Sequence, residues 1–235
     1  MPQFFLYGRI VERIENAARQ VSREHRVRLL AVGKTKPAAS IRALAALGQR
    51  AFGENYVQEA LAKQAELGDL ELEWHMIGPL QSNKCRDVAR HFDWLQTLDR
   101  EKLIEPLARH RPDGRQPLNV LIEVNVDDES SKSGCRPEAV VDLAARIRAH
   151  PTLRLRGLMA IPAPDPDLAR RRAAFARMRA LLDELAAIDA HVDTLSMGMS
   201  DDFELAIAEG ATMVRIGSAL FGARSRESGM GNGES

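Results

Sequence analysis

Two lysines follow the first strongly apolar stretch of the chain, in the segment AVGKTKP at residues 31–37. Residues 27–32 are mostly Val, Leu and Ala, which is typical of a strand buried on both faces. Pro37 is predicted to open the next helix, so Lys34 would lie at the carboxyl end of that strand. An amine held there in apolar surroundings has its charged form disfavoured and can form an imine with a carbonyl. The alternative is a lysine whose head simply reaches water.

Glycine and serine recur where the last two apolar stretches give way to helical patterns. The residues concerned are Ser200 in TLSMGMSDD (194–202), and Gly217 and Ser218 in VRIGSALFG (214–222). Ser200 is predicted to cap one helix and Ser218 to open a short final one, while Gly217 allows close backbone approach. Helix amino termini present unpaired N–H groups, so these two ends could bind a phosphate. Asp201 and Asp202 oppose this hypothesis unless they point outward. Together with the lysine, the pattern predicts a ligand that carries both an aldehyde and a phosphate.

The elements that would position these residues alternate between strands and helices. Eight strands are predicted, at residues 27–32, 50–52, 72–77, 94–98, 118–126, 153–161, 192–197 and 211–216. An amphipathic helix precedes them, with one apolar face formed by Val11, Ile14, Ala18 and Val21. This order predicts an α/β fold, a (β/α)8 TIM barrel with an extra N-terminal helix and its active site at the carboxyl ends of the strands. A doubly wound open sheet is the alternative, because the second and fourth strands are short.

The length and composition allow one domain or two, no low-complexity linker divides the chain, and the charge balance excludes several classes of partner. We expect a barrel domain over residues 1–225 and a disordered tail at 226–235. The chain has 33 Lys and Arg against 33 Asp and Glu, so no net field attracts nucleic acid or an anionic membrane. Its apolar stretches are too short to span a bilayer, and its start lacks the pattern of a secretory signal. Cys85 and Cys135 stand apart without metal-ligand spacing, which predicts reduced thiols in a cytoplasm and no metal site. We expect a monomer, although no sequence pattern fixes the oligomeric state.

Several motifs in order resemble those of one family, the pyridoxal phosphate homeostasis proteins. The motifs are AVGKTKP (31–37), FGENYVQE (52–59), WHMIGPLQSNK (74–84), VNVDDESSKSG (124–134), GLMAIP (157–162), SMGMSDD (196–202) and MVRIGSALFGAR (213–224). The resemblance implies a single-domain barrel similar to the N-terminal domain of alanine racemase, with pyridoxal 5′-phosphate (PLP) as its cofactor. One departure is Gly33, where the family often has Ser.

The resemblance also implies a cofactor site of six residues, namely Lys34, Asn55, Ser200, Arg215, Gly217 and Ser218. Lys34 would carry PLP as an imine, with Lys36 as a neighbour that could assist exchange. Ser200, Gly217 and Ser218 would hold the phosphate. Arg215 would face the pyridine nitrogen rather than reach solvent, and Asn55 would lie near the ring or its hydroxyl. Because arginine only donates hydrogen bonds, it favours an unprotonated ring nitrogen and a weaker electron sink.

Five further residues carry open alternatives. His75 could touch the cofactor or lie satisfied in the core, and Tyr56 could pack against the ring or cover the barrel rim. Lys132 could guide an anion inward or be an exposed loop lysine. Glu123 and Asn125 share one side of the fifth predicted strand. If that side faces the interior, Glu123 needs a partner such as an arginine, because an unpaired buried charge is costly.

Two functions from different classes fit these residues. The first is a carrier that holds PLP reversibly and supplies it to PLP-dependent apoenzymes, with no efficient catalysis and no catalytic residues. The alternative is a PLP-dependent amino-acid racemase or decarboxylase. Related racemases have a second, β-rich domain that supplies a catalytic tyrosine, whereas here the barrel takes up the chain and the two tyrosines, Tyr7 and Tyr56, lie outside any such domain. Racemisation requires an acid or base on each face of the substrate carbon, so the carrier is favoured.

Overall fold

Eight strands, each followed by a helix, form the protein in a computed structural model that describes residues 3–21, 27–127, 129, 132–163 and 165–221. The strands are β1 (Arg28–Val32), β2 (Ala51–Glu54), β3 (Glu73–Met76), β4 (Trp94–Leu98), β5 (Leu118–Glu123), β6 (Leu153–Met159), β7 (Thr194–Ser196) and β8 (Met213–Ile216). All neighbours pair in parallel, and β8 pairs with β1 to close the sheet. The predicted TIM barrel is confirmed, and the open sheet is excluded.

The helices surround this barrel. They are α1 (Gln3–Gln20), α2 (Ala38–Ala46), α3 (Val57–Glu66), α4 (Cys85–His91), α5 (Ile104–His110), α6 (Val140–Arg148), α7 (Leu168–Ala186), α8 (Phe203–Ala208) and α9 (Ser218–Phe221). Short 3-10 turns precede three of them, at Ser82–Lys84, Glu101–Leu103 and Pro137–Ala139. None of the helices in the described part of the chain combines the length and apolar composition needed to cross a membrane. The predicted tail at 226–235 lies outside the described residues.

The extra N-terminal helix packs on the outside of the barrel, against α8, α9 and α2. Its buried face consists of Ile10, Ile14 and Ala17, one position away from most of the predicted face. Arg13 lies 4.5 Å from the ring centre of Phe203 and pairs with Glu204 on α8. The helix thus covers the side where the last elements of the barrel meet the first.

Alternate strand residues supply two different cores. Ala31 joins the large apolar layer between strands and helices, with Ile41 and Leu44 of α2. Its neighbour Leu30 belongs to a small separate cluster inside the barrel, because successive strand side chains point to opposite faces. A second interior cluster contains Trp94, Leu121 and Met159. Because both faces of the strands are buried, apolar and polar residues do not alternate regularly along them.

Several predicted strand and helix ends differ from the observed ones by one to three residues, and local contacts explain two of these differences. The fifth strand ends at Glu123 instead of residue 126, because the backbone of Asn125 turns toward the following loop: its N–H donates to Cys135 O at 2.9 Å. Helix α2 begins at Ala38, and Pro37 is its N-cap residue with an extended ψ of 157°. Neither change moves Lys34 away from the carboxyl end of β1.

Strand β6 contains a bulge that only glycine can accommodate. The β5–β6 register shifts between the pairs Val120–Leu155 and Leu121–Gly157. Gly157 has a φ of +143°, and a Cβ atom there would lie 1.9 Å from Thr194 O on β7. Both the backbone conformation and the neighbouring strand therefore exclude a side chain at this position.

Replacing Gly157 with alanine should lower the free energy of unfolding by at least about 2 kcal/mol, because the strained φ and the displaced β7 both contribute. Urea unfolding followed by circular dichroism measures this change. Gly8→Ala is the matched control, since Gly8 lies in α1 and a methyl group there would meet nothing within 4 Å. The control should gain about 0.5–1 kcal/mol. Equal stability of Gly157→Ala and the parent would contradict the steric argument.

Candidate cofactor site at the carboxyl ends of the strands

One cavity of about 350 Å³ opens where β1, β7 and β8 end. All six residues of the predicted site line it, namely Lys34, Asn55, Ser200, Arg215, Gly217 and Ser218. Apolar walls come from Val32, Ile77, Ile161 and Met199, of which the last two are partly exposed at the mouth. A cavity of this size, with apolar walls and a few polar groups, is typical of a site for a small molecule.

Lys34 lies in the turn between β1 and α2, and its side chain is exposed. The expectation of apolar surroundings for this amine was wrong, because the turn projects beyond the end of the strand and the next residue, Thr35, is exposed as well. Thr35 and Lys36 line the same cavity. The amine is therefore reachable from solvent, which suits a group that must react with a ligand and release it again.

The loops after β7 and β8 form another part of the cavity wall. Ser218 is the first residue of α9, as predicted, and a Cβ atom on the preceding Gly217 would lie 3.4 Å from Val32 O on β1. Ser200 is not the N-cap of α8: that position belongs to Asp202, and Ser200 lies in the turn before it. The helix starts later than predicted because Phe203 N donates to Met199 O and closes the turn first.

The two acids in this loop behave differently. Asp202 Oδ1 accepts a hydrogen bond from Met199 N at 2.7 Å, so this carboxylate is engaged within its own turn. Asp201 is exposed and lines the cavity. Asp201 therefore does not meet the condition, stated for the phosphate hypothesis, that both acids point outward. A bound phosphate would have to be held by the hydroxyl and N–H donors against this nearby negative charge.

Arg215 is buried on β8 and directs its guanidinium toward the strand ends. Its Nη1 donates to Ser196 O and Ser196 Oγ, both at 2.8 Å, and its Nη2 donates to Ala160 O at 2.8 Å. Burial lowers the pKa of Arg215 to about 10, which leaves it a cation at neutral pH. None of the described residues accepts a hydrogen bond from its Nε–H, and the residue lines the cavity. An acceptor atom on a ligand could use this donor.

A chain of hydrogen bonds continues from Arg215 through the barrel interior. Ser196 Oγ donates to Gln96 Oε1 at 2.7 Å. Gln96 Nε2 donates to His75 Nδ1 at 2.9 Å. The remaining imidazole nitrogen of His75, Nε2, donates to Glu73 Oε1 at 2.6 Å. We call these five residues, Arg215, Ser196, Gln96, His75 and Glu73, the interior relay.

Every donor in the interior relay points away from Arg215 and toward Glu73. The cation Arg215 lies at one end of the relay. The carboxylate of Glu73 lies at the other end and pairs with Arg28 at 2.5 Å. Burial lowers the pKa of His75, which keeps the imidazole neutral and able to accept from Gln96. Such a polarised chain fixes the direction of each member, and so holds Arg215 in one orientation behind the cavity.

Glu123 lies next to this chain as a buried acid. Burial, together with the nearby Asp99, raises its pKa to about 7, while the charge of Arg215 opposes the rise. Arg215 acts on Glu123 only through its charge, because its hydrogen bonds go to Ser196 and Ala160. Among the described residues, no ion pair joins Glu123 to an arginine, so the expected partner is present only as a nearby charge. Asn125 does not share this environment, because its side chain binds the backbone of Glu129.

The other candidate residues lie apart from the cavity wall. His75 is fully buried and stacks on Trp94 at 5.1 Å, which matches the core alternative. Tyr56 is 61% exposed at the start of α3. Lys132 Nζ donates to Ile161 O at 3.3 Å and lies within 4 Å of Asp127 and Glu129, so it is bound within its loop. Cys85 and Cys135 are free and buried, and burial raises the pKa of both thiols.

Sequence reasoning missed two kinds of residue. The polar members of the interior relay on β4 and β7, Gln96 and Ser196, were not singled out. A glutamine inside an otherwise apolar strand was the available signal for the first of them. The contacts that α3 makes to the Lys34 turn were also missed, because they join residues from 24 to 30 positions apart in the sequence.

The fold and the cavity are those of a barrel protein of the alanine racemase N-terminal domain class. The family model of that domain matches residues 8–225 of this chain. The pyridoxal phosphate homeostasis protein of Pseudomonas aeruginosa is 57% identical over 218 residues, covering 92% of this chain and 94% of that protein. The Escherichia coli K12 protein of the same name is 51% identical over 221 residues, covering 92% and 94%. A structure of PipY from Synechococcus elongatus with PLP bound superposes with a TM-score of 0.77 at 40% identity, covering 91% of this chain and all of that one. The chain therefore belongs to the family of pyridoxal phosphate homeostasis proteins.

The buried acid Glu123 should make stability depend on pH. Its pKa is about 7 in the folded protein against an ordinary value of 4.5, so folding takes up a proton between these values. Stability is then highest below the lower pKa and falls as the pH rises through about 7, by up to about 3 kcal/mol for one such group. Glu123→Gln should flatten the decline in unfolding free energy between pH 5 and pH 8, measured by urea titration. An unchanged slope would contradict this account.

Proposed function

We propose that this protein binds PLP, attaches it covalently through Lys34, and releases it to enzymes that require it. The observation that carries the proposal is the single cavity that joins a reachable amine, two serine hydroxyls and a buried guanidinium. The names of the relatives and the PLP-bound PipY structure support the same ligand. When bound, PLP supplies an aldehyde carbon that joins an amine nitrogen through a C=N bond with loss of water.

The donors in the cavity fit the chemical groups of PLP. Ser200 and Ser218 offer hydroxyl donors for phosphate oxygens, and the first turn of α9 offers N–H groups without partners inside the helix. The Nε–H of Arg215, which donates to none of the described residues, suits an acceptor such as an aromatic ring nitrogen. Asn55 can donate or accept beside a ring hydroxyl. Each assignment uses a polar group that already lines the cavity.

We further propose that the protein carries PLP without efficient catalysis. Racemisation needs an acid or base on each face of the substrate carbon. The described residues that line the cavity include no Tyr, His or Cys, and the ionisable groups besides Lys34 are Lys36, Asp201 and Arg215. Arg215 is a cation held by three hydrogen bonds and cannot serve as a base. A racemase or decarboxylase using Lys36 or Asp201 is the alternative.

The proposal includes a cellular setting. The unpaired thiols of Cys85 and Cys135 support a reducing cytoplasm. There a monomeric carrier would limit the free concentration of a reactive aldehyde and supply it to apoenzymes. An exposed attachment lysine supports transfer, since an incoming amine can reach it from solvent.

Borohydride reduction of the protein loaded with PLP should fix the cofactor on Lys34, because this amine lies at the cavity and reaches solvent. Peptide mapping by mass spectrometry locates the label. Lys34→Ala should remain folded and lose the reducible visible absorbance. Lys36→Ala, two positions away in the same turn, is the matched control and should keep the label on Lys34. A label found mainly on Lys36 or Lys132 would exclude the assignment.

Amino acids should change the visible spectrum of the loaded protein without measurable turnover. A missing acid–base group typically lowers the rate by about 10²–10⁴-fold, so racemisation should stay below about 0.1 s⁻¹. Alanine, serine, lysine and ornithine are to be assayed for change of chirality and release of carbon dioxide, with Lys34→Ala as control. Turnover near ~10 s⁻¹, typical of enzymes and abolished in the control, would favour the racemase or decarboxylase.

A further inference from the structure

The turn that carries Lys34 contains a strained residue. Thr35 has a φ of +61°, and it is the one non-glycine residue with positive φ among residues 3–21, 27–127, 129, 132–163 and 165–221. A β-branched side chain disfavours this conformation, because its Cβ substituents crowd the backbone. Thr35 keeps it only where surrounding contacts outweigh that preference. The residue immediately before it is Lys34, so the same backbone sets the direction in which the amine leaves the turn.

Helix α3 supplies contacts on both sides of Lys34. Glu59 Oε1 accepts a hydrogen bond from Thr35 N at 2.7 Å. Lys63 Nζ donates to Gly33 O at 2.7 Å. These two side chains are one helical turn apart and bind each other at 2.6 Å. We call Glu59 and Lys63 the α3 clamp.

The α3 clamp is anchored to the barrel. Lys63 is 5% exposed, and its third hydrogen bond goes to Glu54 Oε1 on β2 at 2.8 Å. All three protons of the ammonium group are thus used, in three different directions. Because the ammonium is buried and fully bonded, it has one favourable position. The backbone of Gly33 is held from the other side by its N–H, which donates to Gly53 O at 2.9 Å.

We propose that Glu59 and Lys63 are positioning residues for the Lys34 amine. They hold Thr35 in its disfavoured conformation and thereby aim the Lys34 side chain along the cavity. This inference rests on the proposed function only in taking Lys34 as the attachment point. It adds that the attachment rate depends on two residues of α3 that do not line the cavity.

The strained backbone of Thr35 makes it possible to distinguish a positioning role of Glu59 from a general structural role. Glycine adopts a positive φ without the cost that threonine bears. If the clamp acts by holding this conformation, Thr35→Gly should recover function after the clamp is broken. If Glu59 merely stabilises α3, a glycine in a different turn cannot compensate for its loss.

The experiment compares five variants with the parent, namely Glu59→Ala, Glu59→Gln, Thr35→Gly, the Glu59→Ala/Thr35→Gly double variant and Glu66→Ala. Glu59→Gln retains an acceptor for Thr35 N. Glu66→Ala is the matched control, since it removes an exposed glutamate from the end of the same helix. The first measurement is the rate constant for covalent attachment of PLP to the cofactor-free protein, followed by borohydride trapping at Lys34. The second is amide hydrogen exchange of Thr35 without PLP.

Glu59→Ala should slow attachment at least about tenfold, because a small misplacement of a reacting group has large effects on rate. Its Thr35 amide should exchange faster. The attachment rate constants of Glu59→Gln and Glu66→Ala should stay within about threefold of the parent. The double variant should regain at least half of the loss in the logarithm of the rate constant that Glu59→Ala causes. Circular dichroism and thermal melting establish that each variant is folded.

Attachment at the parental rate in folded Glu59→Ala would overturn the inference, as would a double variant no faster than Glu59→Ala. If the proposed function itself is wrong, the result is different: the parent protein would show no label on Lys34. In that case the exchange measurement still tests the clamp: unchanged exchange of Thr35 in Glu59→Ala would refute it, and faster exchange would support it.

Discussion

The pairing of β8 with β1 places the first and last parts of the chain in one site. Four residue pairs form this seam, from Arg28–Met213 to Ala31–Ile216, and Leu30 stands opposite Arg215. Because both strands run in the same direction, their carboxyl ends meet, and the Lys34 turn lies beside the loop that contains Gly217 and Ser218. An open sheet would leave these two ends far apart. Closure of the barrel is therefore the constraint on which the cavity depends.

Part of the barrel interior is polar. Two apolar clusters, around Leu30 and around Trp94, occupy part of it, and the interior relay occupies the space between the cavity and the opposite end. A buried polar group without a partner costs free energy, and a fully bonded chain avoids that cost while it restricts each member to one orientation. The members of the relay come from four different strands, β3, β4, β7 and β8. The orientation of Arg215 is thus set by side chains from three other strands and not by β8 alone.

How much the sequence predicted differs between strands, turns and long-range contacts. The apolar run at β1 matched the observed strand to within one residue. The fourth strand matched its predicted bounds, 94–98, although it is short and weakly patterned. Strand and helix ends were less predictable: Asn125 leaves β5 to bind Cys135, and Phe203 N closes its turn before Ser200 could act as a cap. The six site residues came from motifs and a resemblance, and the structure brings them to one cavity. The interior relay and the α3 clamp could not be predicted, since they depend on which side chains meet after the barrel closes.

The absence of a side chain at position 33 leaves room for the buried carboxylate of Glu54. A Cβ atom on Gly33 would lie 2.6 Å from Glu54 Oε1, the oxygen that binds Lys63, so a serine there requires the carboxylate to adopt another rotamer. The second oxygen, Glu54 Oε2, is buried and has no hydrogen-bond partner among the described residues, and a neighbouring hydroxyl could satisfy it. Residue 33 and the conformation of Glu54 must therefore change together. The cost of a serine at position 33 in this chain therefore depends on whether the buried carboxylate of Glu54 can take another position.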